Sequence, residues 1–79
     1  MGLLRDLVEK FGPQDRRLKC IEELSELIRA IARDDRENIK EELVQVYLLL
    51  TQIELVYDIG YLELEKDLMQ EKEKLKGLL

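Results

Sequence analysis

Histidine and tryptophan are absent from these 79 residues, cysteine and proline occur once each, and there are only four glycines. A lone Cys20 without histidine excludes an internal disulfide and a zinc site of the Cys/His type. A chain this short supplies only a few kcal/mol from its own core and leans on disulfides, a structural metal or association. With disulfides and zinc ruled out, self-association is the expected remedy. One domain spanning residues 1–79 is expected. The free thiol fits a reducing cytoplasm. MGLLRDLVEK has neither the basic flank nor the unbroken apolar core of a signal peptide.

What is present is helix-forming material. Hydrophobic residues make up 46% of the chain and charged residues 39%, with aromatics at 5%. Leu, Ile, Glu, Lys and Arg in that mixture build amphipathic helices. The net charge of −5 argues against nucleic acid as a partner, since binders of nucleic acid carry a basic face. It suits a carboxylate-rich site that holds a cation.

The periodicity predicts four helices. Leu4, Leu7, Val8 and Phe11 share one face of a short helix over about residues 3–11, ended by Gly12-Pro13. A second helix is expected from about Pro13 to Arg33, with Leu18, Ile21, Leu24, Ile28 and Ile31 as its apolar stripe and Leu27 and Ala30 widening it. Asp34-Asp35-Arg36 forms a turn, and either aspartate can cap the next helix. The third helix, about Arg36 to Asp58, carries Ile39, Leu43, Val46, Leu50, Ile53 and Tyr57 as a stripe, with further apolar residues off it. A helix apolar on most sides is buried on most sides, which again calls for a dimer or tetramer. Gln45, Gln52, Glu54 and Asp58 interrupt it too often for a membrane span. The last helix, about Tyr61 to Lys76, comes after Gly60 with Leu62, Leu68 and Leu75 inward. The fold class expected is all-α: an antiparallel helical bundle of about four helices, completed by oligomerisation.

One constellation carries chemistry. Glu22, Glu23 and Glu26 crowd one segment of the second helix, and Glu41, Glu42 and Gln45 one segment of the third. If the two helices pack antiparallel, their acidic faces converge on an oxygen-rich pocket. Magnesium takes such ligands and shares its shell with phosphate oxygens. Taken alone, E-E-x-x-E spacing also describes a solvated acidic helix face.

The wording of the chain goes further. Lys19-Cys20-Ile21-Glu22-Glu23-Leu24-Ser25-Glu26-Leu27 resembles the K-x-x-E-E-x-x-E-L block of the MazG-like, all-α nucleoside triphosphate pyrophosphohydrolases. Asn38 to Val46 is similar to their second block, N-x-x-E-E-[IL]-A-D-V. Leu50 to Ile53 and Val56 to Ile59 resemble short, often phage-encoded members, and Lys74 stands where those have a K-x-x-R element. The resemblance covers about residues 12–76 in the family's order. It implies hydrolysis of a nucleoside triphosphate to monophosphate and pyrophosphate, with Mg2+ as cofactor held by Glu22, Glu23, Glu26 and Glu42. Lys19 and Lys74 become the phosphate-facing cations, suited to it as compact point charges.

Two positions depart from that pattern. Gln45 replaces the aspartate of E-x-x-D, offering one neutral carbonyl oxygen and no charge. Gly77 stands in place of an arginine. A non-catalytic helical oligomer that keeps the scaffold as a nucleotide-binding or protein-interaction module is therefore the alternative. Other residues read more plainly. Cys20 is expected as a small hydrophobe without catalytic use. Gln52 faces either the pocket or another subunit, and Tyr47, Tyr57 and Tyr61 are expected in core or interface packing.

Overall fold

The computed structural model describes residues 2–79, and among these every regular element is an α-helix. Helix α1 (Leu3–Phe11) closes where Gly12 donates its N–H to the Val8 carbonyl at 2.9 Å. Gly12 sits at φ 88°, in the region that only glycine enters without strain. Pro13 then occupies the first turn of α2 (Pro13–Ala32), where its missing N–H leaves no bond unmade.

A tight turn joins α2 to α3 (Arg36–Val56). Asp34 adopts φ 54°, and the Asp35 carboxylate accepts from the Asn38 N–H at 3.2 Å. Of the two aspartates the sequence offered as caps, Asp35 is the cap and Asp34 makes the left-handed step. The hairpin is antiparallel: Arg16, early in α2, bonds Gln52, late in α3. Helix α1 lies against both helices of the hairpin. Helix α4 (Tyr61–Lys76) begins at Gly60 and packs on no other helix. The four expected helices are all present, with α2 and α3 ending slightly earlier than expected. The bundle within one chain, however, has three members and not four.

The core differs from the expected stripes. The buried apolar residues are Cys20, Ala30, Val46 and Leu49, joined by Gln52. Leu18, Ile21, Ile28 and Ile31 remain exposed, Ile28 to 67%. Small side chains at Cys20 and Ala30 let α2 approach α3 closely, since interaxial distance depends on the residues at the contact. The larger aliphatics lie to one side of that seam. On α3, Val46 keeps its expected place, while Leu50 and Tyr57 are exposed and Leu49 and Gln52 take the interior. All three tyrosines are exposed, which removes the core alternative within one chain and leaves the interface one. Leu62, Leu68 and Leu75 of α4, expected inward, face open space.

Gln52 is turned into its own chain. Its Nε2 donates to the Leu48 carbonyl at 3.2 Å and its Oε1 accepts from Arg16 Nη1 at 3.4 Å. The Arg16 guanidinium lies 4.7 Å from the centre of the Phe11 ring, a cation–π contact. One arginine thus ties the end of α1 to both arms of the hairpin.

Candidate acidic site on the hairpin

The carboxylates come together where α2 and α3 face each other. Glu23 reaches across the seam to Glu42. Glu42 Oε2 is shielded from solvent and has no hydrogen-bond partner. Two facing carboxylates resist joint ionisation, so their titrations are linked and shift in opposite directions. Glu42 shifts upward: the contact with Glu23 raises its carboxyl above the usual range, with further contributions from burial and from the charges of Glu23, Glu26 and Glu41. Glu23 is pushed the other way, first by accepting from Glu42 and then by Lys19.

Lys19 completes the group. Its Nζ lies 3.1 Å from Glu23 Oε1 and 3.7 Å from Glu22 Oε1. The bond to Glu23 raises its pKa, and the negative charges of Glu22 and Glu23 add to this. The one-turn spacing of α2 makes both contacts possible, so Lys19 is cationic wherever the acids are ionised.

The other predicted residues stand further out. Glu22 is more than half exposed and, among the described residues, pairs with Lys19 alone. Glu26 is tied to Arg29 on the same helix, although its charge is felt at Glu42. Lys74 pairs with Glu71 at 3.1 Å. Because α4 touches no other helix of its chain, Lys74 is not brought to the acids. Cys20 is a buried free thiol, raised in pKa by burial, as befits a small hydrophobe.

A donor set for a divalent cation is present in kind but not gathered. Among the described residues no three acidic, cysteine or histidine side chains converge in a group able to hold a metal ion. The buried, unpartnered Glu42 oxygen is nonetheless what a hard cation would satisfy. Glu23 and Glu42 would form the centre of such a site. Glu22 and Glu26 would join by releasing Lys19 and Arg29, both exposed pairs that cost little to break.

Beside the acids, a cavity of about 210 Å³ opens between α1 and the hairpin, lined by Leu3, Leu7, Arg16, Lys19, Gln45 and Gln52 among others. Gln45 faces this space, as an exposed residue. Arg16 was missed from sequence. The available signal was its position one turn before Lys19, coupled to a glutamine interrupting an apolar helix. Among the described residues no single helix is long and apolar enough to cross a membrane.

No curated protein and no solved structure matches the chain. Residues 11–77 match the MazG nucleotide pyrophosphohydrolase domain, whose enzymes generally depend on a divalent cation. That span takes in the acidic hairpin, the Lys19 contacts and α4, and on it the chain belongs to the MazG nucleotide pyrophosphohydrolase family.

Proposed function

We infer that this chain is a magnesium-dependent pyrophosphohydrolase cleaving a nucleoside or deoxynucleoside triphosphate to monophosphate and pyrophosphate. The observation that carries the reading is the Glu23–Glu42 pair with its buried, unpartnered carboxylate oxygen beside Lys19. Water attacks the α-phosphorus, and the bond to the bridging oxygen of the β-phosphate breaks. A divalent ion supplies charge neutralisation for the phosphates and Lewis acidity toward water. Glu23 and Glu42 would hold that ion at the seam, with Glu22 and Glu26 as its further ligands. Lys19, released from Glu22, turns to the phosphates. Lys74 is a second phosphate-facing cation only if another copy of the chain supplies it.

The protein acts on free nucleotides as a homo-oligomer, a dimer or tetramer, in the cytoplasm. It uses neither nucleic acid nor a membrane, and resembles the short, phage-type members. Incubation with Mg2+ and a panel of NTPs and dNTPs tests the reaction. Monophosphate and pyrophosphate in equal amounts are expected, and inorganic phosphate alone would mean different chemistry.

A second reading is favoured by Gln45 and by the pairing of Glu26 with Arg29: a helical module that retains the scaffold without turnover. Gln45→Asp separates the two. A magnesium-dependent gain from an inactive parent marks a scaffold disarmed at that one position, whereas an already active parent refutes the module.

A further inference from the structure

We propose that the cavity between α1 and the hairpin holds the base of the substrate, and that Arg16 and Gln52 select a base with a carbonyl oxygen at its far edge. Uracil, thymine and guanine have one there, where cytosine and adenine carry an amino group. Resting on the nucleotide reading above, this adds a class of base to it.

The order of side chains along the hairpin matches the parts of a nucleotide. Glu23 meets Glu42 at the acidic end, where a cation and the phosphates belong. Lys19 stands one turn back on α2 and Gln45 one turn on along α3, and both line the cavity. Arg16 then meets Gln52, about 15 Å of helix rise beyond Glu42 on α3. That is close to the span from a cation, across an α-phosphate and a sugar, to the outer edge of a base. Leu7 of α1 and Leu48 and Leu49 of α3 supply apolar walls. A flat ring needs such walls, with a few polar groups to fix its orientation.

The polar end of the cavity is built into the fold. Gln52 is only 3% exposed, and its amide is held at both ends, Nε2 donating to the Leu48 carbonyl and Oε1 turned to Arg16. An amide nitrogen carries two N–H groups, and among the described residues only one of Gln52's finds an acceptor. Arg16 is fixed on its other edge, where Nε and Nη2 donate to Asp15 and the guanidinium lies against Phe11. Its Nη1 has a second N–H beyond the one given to Gln52. The ligand therefore meets two neighbouring donors, and among the described residues no carboxylate lines the cavity. A base carbonyl accepts from both. An amino group leaves them and itself unpaired away from water, which makes rejection steep. A phosphate tail is the poorer occupant, because Asp15 already balances the charge of Arg16 and the leucines give an anion nothing.

The test compares UTP with CTP, whose bases differ only along that edge, on the full chain with Mg2+. UTP should lead in kcat/KM by about tenfold or more. Arg16→Gln should erase the preference, and Arg16→Lys, which keeps the charge without the planar fork, should retain part of it. Damage to the fold would slow both nucleotides together and leave their ratio alone. Binding is read separately without metal, using UMP and CMP. UMP should shift the NMR signals of the Gln52 side-chain amide and the Leu7 methyls, and CMP should bind about tenfold more weakly. Equal use of UTP and CTP by the wild type, a ratio that Arg16→Gln leaves unchanged, or UMP without effect at Gln52 each overturns the proposal. An Arg16→Gln variant whose KM rises alike for both nucleotides assigns the cavity to the phosphate tail and overturns it too. A protein that binds UMP over CMP at Gln52 but releases no pyrophosphate keeps the base site and loses the enzyme. One that hydrolyses UTP and CTP equally keeps the enzyme and loses the base site.

Discussion

Helix α4 and the α2–α3 hairpin are written in the same vocabulary of leucine, glutamate and lysine, and they end in opposite situations. The hairpin closes on itself because Cys20 and Ala30 are small enough for α3 to seat Val46 and Leu49 against them. The same close approach brings Glu23 to Glu42 and Arg16 to Gln52. Helix α4 has a comparable apolar ridge but no seam of small residues to meet within its chain, and its Leu62 is 78% exposed. An amphipathic pattern makes a helix. Perturbed acids, a buried amide and an unpartnered oxygen arise only where a second helix closes over it.

That contrast can be broken most severely at the acids. Glu42→Gln should lower NTP turnover about 100-fold or more, since even residues behind the ligands cost 10–100-fold at metal centres; steady-state pyrophosphate release measures it. Glu65→Gln on α4 should leave turnover unchanged. If the two variants behave alike, the seam is not the site.

Packing should differ next. Leu49→Ala is expected to cost about 2–5 kcal/mol, read by urea denaturation. Leu75→Ala should stay within about 0.5 kcal/mol at dilutions where the chain is monomeric. Gln52→Ala falls between them, at about 1–3 kcal/mol, because Arg16 and the Leu48 carbonyl lose their partner.

Proton linkage sharpens the comparison further. The Glu42 carboxyl is raised above the ordinary glutamate range, and a divalent ion binds its deprotonated form. Mg2+ affinity should therefore rise as pH climbs through and just above that range, with proton release visible by calorimetry in buffers of different ionisation heat. The smallest effect concerns stability without metal. A carboxyl whose pKa is raised by folding contributes stability at low pH and loses it as pH rises through the folded value. Glu42→Gln is neutral throughout, so its melting temperature should gain on the wild type as pH rises past that point.

Much of this was legible in the residues. Gly12-Pro13, Asp34-Asp35 and Gly60 mark the helix ends because each solves a local backbone problem. Glu22, Glu23, Glu26 and Glu42 stood out as a set through the resemblance to the two family blocks, since spacing alone also describes a solvated acidic face. Their division into a buried pair and two outliers was not, since Lys19 and Arg29 compete for the same oxygens and only geometry shows which contacts form. The stripe of Ile21, Ile28 and Ile31 misled for a related reason: periodicity reports an apolar face without saying what lies across from it.

The sequence by itself determined four helices, their limits to within a residue or two and the acidic character of two of them, because capping, propensity and charge spacing act over a few residues. Tertiary structure decided that small residues rather than large ones line the seam, that Glu42 is the carboxyl shifted upward, and that α4 is left without a partner in its own chain. Those outcomes depend on distances between residues far apart in the chain, which no local rule fixes.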